Sequence, residues 1–180
     1  RALFVPKSNS ILYTAAWEGQ PVRSFLTLPE SKGADRSLDA ETQLPMAYSD
    51  DGSEVLVLLG RSRPAINAFG TLAWWPALGG KPRPILEHAG WSDWAPKTRA
   101  LLVVREDGSE RTLDLLDAKA VKQRTLFRTG GAISYVRVSP DERHVAFIHH
   151  PSRSDDAGEV QVVSLDGSVS RSVSPRFERC

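Results

Sequence analysis

A short pattern recurs four times along this chain of 180 residues. Each copy has a β-rich stretch, a turn, and a second, more aliphatic β-rich stretch. The second turn position falls at Pro6, Asp50, Pro96 and Pro140, so successive copies lie 44, 46 and 44 residues apart. Proline presets φ for a turn and aspartate bonds its own backbone there, so each copy predicts two antiparallel strands joined by a tight turn. Helical repeats of similar length would need apolar residues at i, i+3 and i+4, and this pattern is missing.

Each copy continues with two further β-rich stretches, which complete a unit of four strands. The third stretches are 22–28, 70–78, 111–116 and 159–165, and the more polar fourth stretches are 36–42, 82–87, 121–127 and 169–173. The period matches the roughly 40 to 45 residues of a four-stranded propeller blade. We therefore predict an all-β chain of about 16 strands. It would be a β-propeller domain or fragment over 1–180, with four antiparallel blades at approximately 1–43, 44–89, 90–131 and 132–175.

The charge balance argues against a nucleic-acid partner. The 23 Lys and Arg against 22 Asp and Glu give a formal net charge of +1, which is too small a field to gather a polyanion. The only cysteine is Cys180, which excludes intrachain disulfides and zinc sites built on paired cysteines. The longest aliphatic run, 55–59, is far shorter than the ~20 residues of a membrane helix, so we expect no membrane insertion by this segment.

The segments 138–141, 145–147 and 165–167 read Val-Ser-Pro-Asp, Val-Ala-Phe and Leu-Asp-Gly. They resemble the TolB-like, WD-type β-propeller repeats of bacteria, whose signature is a Trp-Ser-Pro-Asp-Gly turn, an Ile-Ala-Phe strand and a strand ending in Asp-x-x-Gly-Gly. The segments 11–21 and 147–151 also resemble blades of propellers fused to bacterial serine/threonine protein kinases. The resemblance implies a sensory or protein-binding domain of a larger bacterial signalling protein, and it leaves open whether that domain is extracytoplasmic or cytoplasmic.

The blade count departs from this family. Its members generally close with six or more blades, whereas four are counted here. A four-bladed ring and an open four-blade arc are both compatible with the sequence. An open arc would expose the apolar faces of its first and last blades, which favours a homodimer or pairing with the remainder of a parent protein.

Four residues are candidate ligand contacts. Trp91 lies on a predicted inner strand at the position equivalent to Tyr135, and we expect Trp91 to be more open than Trp94, whose equivalents are all apolar. Arg137 follows Tyr135 on the corresponding strand of the last blade, and Arg61 lies in a basic loop. Aromatic and guanidinium groups at such places suit a protein or peptide ligand.

The sequence indicates no catalytic residue, metal or cofactor. The string nearest to a nucleophile elbow, 90–94, ends in Trp where that motif has Gly. His149 and His150 are neighbours on a predicted strand, so their side chains point to opposite faces and cannot easily share a metal. We expect both to be solvated, at the end of this strand and beside the next loop, rather than to form a cation site with Asp155 and Asp156.

Together these features favour a non-catalytic β-propeller module that binds a protein or peptide, as a sensory or scaffolding part of a larger signalling protein. Two alternatives stay open. One is a propeller associated with an enzyme, either as a filter before a peptidase or as a lyase-type propeller with channel histidines. The other is half of a ring that self-association completes.

Overall fold

The computed structural model describes residues 2–16, 22–28, 36–38, 44–60 and 67–178, which form fifteen β-strands and no α-helix. This confirms the all-β fold. No helix long and apolar enough to span a bilayer occurs in the part of the chain that the structure describes. The strands are β1 (Ala2–Phe4), β2 (Ile11–Ala15), β3 (Arg23–Thr27), β4 (Arg36–Leu38), β5 (Leu44–Tyr48), β6 (Glu54–Leu59), β7 (Gly70–Pro76), β8 (Arg83–Ala95), β9 (Ala100–Asp107), β10 (Glu110–Leu116), β11 (Lys122–Thr129), β12 (Ala132–Val138), β13 (His144–His150), β14 (Glu159–Ser164) and β15 (Ser170–Ser172).

The first of two compact units comprises Arg1–Arg61 and Gly70–Glu87. Within it, β1 to β4 form an antiparallel sheet in sequential order. A second sheet has the order β5, β6, β7, followed by the first residues of β8. Val55 and Val57 are two residues apart on β6 and therefore face the same side. Together with Leu12, Ala73 and Trp75 they form one hydrophobic core cluster of this unit.

The second unit comprises Ser62–Phe69 and His88–Cys180. The last residues of β8 begin a third sheet, which continues with β9, β10 and β11, and β12 to β15 form a fourth sheet. Residues 101–104 of β9 alternate between the two faces, yet all four are at most 1% exposed, because this strand is covered on both sides. Phe127 of the third sheet meets Phe147 of the fourth, with ring centroids 5.0 Å apart.

One strand replaces two that the sequence predicts separately. The fourth strand of the second sheet and the first strand of the third are one element, β8, with 13 residues. The predicted blade boundary at 89/90 therefore lies inside a strand, and the single-domain organisation over 1–180 stays a prediction. A turn at this boundary would need residues such as proline or aspartate, and neither occurs between His88 and Gly90. The strand therefore continues past His88, although this residue has a φ of 53°.

The four predicted turns each join the first and second strands of a sheet, which confirms the repeat from which the fold was predicted. The third turn closes where Ala95 pairs with Ala100. In the other three, a backbone N–H donates to the carbonyl five residues later at 2.9 Å, from Val5 to Ser10, from Ser49 to Glu54 and from Ser139 to His144.

Aspartate recurs in these turns because it organises them. Asp51 Oδ1 accepts hydrogen bonds from the backbone N–H of Ser53 (3.0 Å), the Ser53 hydroxyl (2.7 Å) and the Ser49 hydroxyl (2.8 Å). These bonds favour the charged carboxylate and lower the pKa of Asp51 to about 2. Asp141 at the equivalent position, and Asp166 in a later turn, also have lowered pKa values for the same reason.

Candidate ligand-binding site

The first strands of three sheets carry a β-bulge, a place where two residues of one strand lie opposite one residue of its partner. The pairing register shifts between Pro45 and Ala47 on β5, between 89 and 92 on β8, and between 134 and 137 on β12. A bulge changes the direction in which side chains project from the strand, and bulges are frequent next to functional sites. The bulges of β8 and β12 contain Trp91 and Tyr135, two of the candidate residues that the sequence suggests.

Tyr135 combines backbone strain with exposure. Its φ is 53°, in the left-handed region that bulky side chains avoid, and 47% of its surface is exposed. A non-glycine residue in this conformation costs about 1–2 kcal/mol. Such strain persists only where neighbouring contacts enforce it, and it is concentrated at ligand contacts and other functional positions.

The Trp91 ring packs against the ring of Tyr135. The two ring centroids are 4.4 Å apart, with an angle of 33° between the ring planes. Trp91 is only 4% exposed, whereas Trp94 is half-buried, so the expectation that Trp91 is the more open of the two is wrong. Close packing around Gly90 holds this part of β8 in place, since a Cβ at that position would lie 3.1 Å from the Phe69 ring.

A charged pair lies beside the two rings. Asp93, on β8, accepts a hydrogen bond at Oδ2 from the backbone N–H of Val138 (2.8 Å), and its Oδ1 lies 3.6 Å from Nη1 of Arg137. The same Nη1 donates to the carbonyl oxygen of Val136 at 3.1 Å. The Asp93 side chain is 12% exposed and that of Arg137 is 43% exposed. The structure therefore places Trp91, Tyr135 and Arg137 together, whereas Arg61 lies outside the described residues.

Glu142 fixes the two turns at one end of this site. Its carboxylate accepts hydrogen bonds from the backbone N–H of Lys97 (2.7 Å), the backbone N–H of Thr98 (2.8 Å) and the Thr98 hydroxyl (2.8 Å). Burial raises the pKa of Glu142, but the three hydrogen bonds outweigh burial and the pKa is lowered. We call this arrangement of Glu142, Lys97 and Thr98 the Glu142 clamp.

His150 is a buried structural residue, so the expectation that its side chain is solvated is wrong. It ends β13 and is 0% exposed. Its Nδ1 lies 3.2 Å from the carbonyl oxygen of Ala157, and its Nε2 lies 2.8 Å from the Ser134 hydroxyl. Because a carbonyl oxygen only accepts, Nδ1 carries the proton and Ser134 donates to Nε2. Burial lowers the pKa of His150, which favours this neutral form.

His149 lies in β13, as its predicted place on a strand requires, but its side chain is only 18% exposed, so the expectation that it is solvated is wrong for this residue too. Its Nε2 is 2.8 Å from the Thr129 hydroxyl, and its Nδ1 is 3.5 Å from Oε1 of Glu159. These partners lie on the face of β13 opposite to the partners of His150. Among the described residues, no group of three His, Cys, Asp or Glu is arranged to hold a metal ion.

The sequence reasoning missed Asp93 and Glu142, although both left a signal. Asp93 is a carboxylate within an apolar strand, and a buried carboxylate needs partners. Glu142 stands where the Ser-Pro-Asp-Gly signature has glycine, and its φ of 58° resembles that of Gly52, which has a φ of 75° at the equivalent turn position. A carboxylate that replaces glycine at such a position indicates a role for its side chain.

No protein-family model matches this chain, and no curated protein matches it. Solved structures do match. TolB from Acinetobacter baumannii is 16% identical with a TM-score of 0.74 over 97% of this chain and 43% of that chain. A putative TolB from Agrobacterium tumefaciens is 15% identical with a TM-score of 0.72 over 97% and 61%. A chain of a nidogen/laminin complex is 13% identical with a TM-score of 0.60 over 92% and 61%.

These identities show the fold alone. The chain has a TolB-like β-propeller fold, and its sheets correspond to part of a propeller. It spans 43% and 61% of the length of the two TolB chains.

Proposed function

We propose that this partial TolB-like propeller is a non-catalytic module that binds a protein or peptide segment at Tyr135. The observation that carries the proposal is the combination of strain and exposure at this residue. A bulky side chain adopts a φ of 53° and still leaves 47% of its surface in solvent. Packing alone does not favour a tyrosine here, because glycine would adopt the same positive φ without strain.

The surroundings of Tyr135 suit recognition of a polypeptide. Aromatic rings supply large contact areas with little loss of side-chain entropy and are enriched among the residues that dominate protein interfaces. Packing against Trp91 fixes the Tyr135 ring. The hydrogen bond from Val138 to Asp93 and the Glu142 clamp hold the adjoining backbone. A ligand would therefore meet a preorganised surface, which limits the entropy lost on binding.

We infer that the module is a sensory or scaffolding part of a larger bacterial signalling protein. The resemblance of segments 11–21 and 147–151 to propellers fused to protein kinases supports this context. Binding by the module would then bring a protein or peptide to the rest of that protein. No residue is assigned a catalytic role.

The proposal is tested by selection from a random linear peptide library on the wild-type chain and on Tyr135→Gly. Glycine accepts positive φ, so this variant keeps the backbone while it removes the ring. Arg99→Gly is the matched control, because Arg99 is exposed and has a φ of 54° in a turn. The wild-type chain and the control are expected to enrich the same peptides, and Tyr135→Gly is expected to lose them. Equal enrichment on all three proteins contradicts the proposal.

A further inference from the structure

Three turns in the described residues contain the same tripeptide, Asp-Gly-Ser, at 51–53, 107–109 and 166–168. Each turn joins two neighbouring strands of a sheet, and in each the aspartate is exposed. We propose that 107–109 is a site of spontaneous backbone modification, at which Asp107 converts to isoaspartate, whereas hydrogen bonds protect the other two copies. Because the reacting residues are identical, a difference between the three sites has to come from the structure around them.

The reaction needs only the aspartate, the glycine after it and water. The backbone nitrogen of Gly108 attacks Cγ of Asp107, a C–N bond forms, and the carboxyl hydroxyl leaves with the amide proton as one molecule of water. Water then opens the resulting succinimide ring at either of its two carbonyl groups. Opening at the main-chain carbonyl leaves the chain running through Cβ and Cγ, which is isoaspartate. Glycine favours the attack, because it has no Cβ that shields its nitrogen.

Hydrogen bonds hold both reacting groups at 166–168. Oδ1 of Asp166 accepts bonds from the Ser164 hydroxyl (2.6 Å), the Ser168 backbone N–H (2.9 Å) and the Ser168 hydroxyl (2.7 Å). The N–H of Gly167 donates to the Ser164 carbonyl at 3.0 Å. The turn at 51–53 has the same four bonds, and those to Oδ1 lower the pKa of both aspartates to about 2. Cyclisation at these turns therefore has to break bonds at the carboxyl group and at the nitrogen first.

The carboxyl group of Asp107 lacks this protection. Arg105 stands two residues before it, where the protected turns have serine, and the hydroxyl of Ser109 does not bind it. Its hydrogen-bond partner among the described residues is Arg128, whose Nη1 donates to Oδ2 at 2.8 Å. The two side chains are about half exposed, at 55% for Asp107 and 47% for Arg128, and a charged pair in solvent is weak.

The attacking nitrogen at this site is accessible as well. Gly108 and Ser109 form a two-residue hairpin loop, and Asp107 pairs with Glu110 across it. In such a loop the closing pair makes the backbone bonds, so the Gly108 N–H stays outside the ladder. This N–H makes no hydrogen bond to another described residue, and a Cβ built on Gly108 would have nothing within 4 Å. The succinimide ring therefore has space to form.

The product changes the hairpin and creates a new recognisable group. One more atom lies in the main chain between positions 107 and 108, and the carboxylate no longer occupies the place at which Arg128 binds it. The new carboxylate is the group to which isoaspartyl methyltransferases transfer a methyl group. The modified chain therefore belongs to the substrate class of these enzymes.

The test compares the folded chain with the chain unfolded in urea, in the same mildly acidic buffer, until isoaspartate has formed at all three sites of the unfolded chain. Trypsin releases the three copies in separate fragments, 37–61, 106–111 and 154–171, and electron-transfer fragmentation in a mass spectrometer measures isoaspartate in each. In urea the three sites should react at about equal rates. In the folded chain we expect isoaspartate at 107 to form at least about fivefold faster than at 51 or 166, because fewer hydrogen bonds break before the attack.

Three variants connect the rates to the hydrogen bonds, each relative to its own rate in urea. Arg128→Gln should raise the rate at 107 further and leave the other two sites unchanged. Ser168→Ala removes one bond to Asp166 and should raise the rate there, whereas Ser109→Ala is the matched control and should leave the rate at 107 unchanged. The inference is overturned if the folded chain forms isoaspartate at 51 or 166 as fast as at 107, or forms none at 107.

Discussion

Replacement of Glu142 by glutamine removes the carboxylate of the Glu142 clamp at nearly constant volume. In the folded chain Glu142 is 7% exposed, and its carboxylate accepts two backbone N–H groups and one hydroxyl, from Lys97 and Thr98. Glutamine offers only one acceptor oxygen, and its amide NH₂ would face a donor. At least one backbone donor therefore loses its partner.

The magnitude follows from the unmatched donors. A hydrogen bond to a charged group contributes about 1.5–3 kcal/mol, and at least one such bond is lost here, in part-buried surroundings that place the loss towards the lower end. We expect Glu142→Gln to reduce the free energy of unfolding by about 1–3 kcal/mol. Glu142→Ala should cost about 2–4 kcal/mol, because it removes all three hydrogen bonds. Glu142→Gly should cost less than Glu142→Ala, because glycine tolerates the φ of 58° at this position.

The effect should depend on pH in one direction. The pKa of Glu142 in the folded chain lies below its ordinary value of 4.5. The unfolded chain therefore takes up a proton before the folded chain does, and the stabilisation by the carboxylate is complete above pH 4.5. It is lost as the pH falls through the lower pKa of the folded state. The difference between wild type and Glu142→Gln should thus be largest near neutral pH and shrink below pH 4.5.

Urea unfolding followed by tryptophan fluorescence at several pH values measures these differences. Exposed Glu87 provides the control, and Glu87→Gln should change the free energy of unfolding by less than about 0.5 kcal/mol. The account of the clamp is refuted if Glu142→Gln is as stable as wild type at neutral pH. It is also refuted if the difference between them grows as the pH falls.

Three further predictions concern other parts of the second unit. Gly131→Ala should lower the free energy of unfolding, measured in urea, by more than about 3 kcal/mol, because the new Cβ would overlap the His150 carbonyl oxygen. Gly130→Ala is the control and should be nearly neutral, because the space around Gly130 is open. At position 135, Tyr135→Gly should be at least as stable as Tyr135→Ala, since glycine suits the positive φ. At Arg171, which is exposed on β15 and pairs with Val162, glycine should be less stable than alanine by about 0.5–1 kcal/mol. The same order at both positions in urea unfolding would argue against strain at Tyr135. Burial lowers the pKa of His150 below its ordinary value of 6.5, so the contribution of the neutral ring to stability is complete above pH 6.5 and declines below it. The wild type should therefore lose more stability between pH 7 and pH 5.5 than His150→Gln. Equal losses in the two proteins would contradict this.

Much of the fold could be predicted from local sequence signals. Pro140 and Asp141 form a turn for reasons contained within a few residues, and the repeat of that turn fixes the strand order around it. The joining of two strands into β8 was harder to foresee. Gly90 reads as an interruption, but in the structure it allows the close approach of Phe69 within a continuous strand.

The geometry of the site depends on pairing between strands. Trp91 and Tyr135 could be placed at equivalent positions from the repeat, yet the left-handed φ of Tyr135 arises from the register shift between β12 and β13. The pattern of one strand does not contain that shift. The burial of Trp91 likewise depends on a ring from a different sheet, and the interior position of His150 depends on Ser134 and Ala157.

The most direct test of the central claim is the tryptophan emission of the chain during titration with a peptide selected from the library. Trp91 lies beneath Tyr135, so a ligand on Tyr135 should change the Trp91 emission in a saturable way. The chain has five tryptophans, and Trp91→Phe separates this signal from the others while it keeps a ring under Tyr135. We predict that the emission change disappears in Trp91→Phe while calorimetry still detects binding. An unchanged emission response in Trp91→Phe would show that the ligand binds elsewhere.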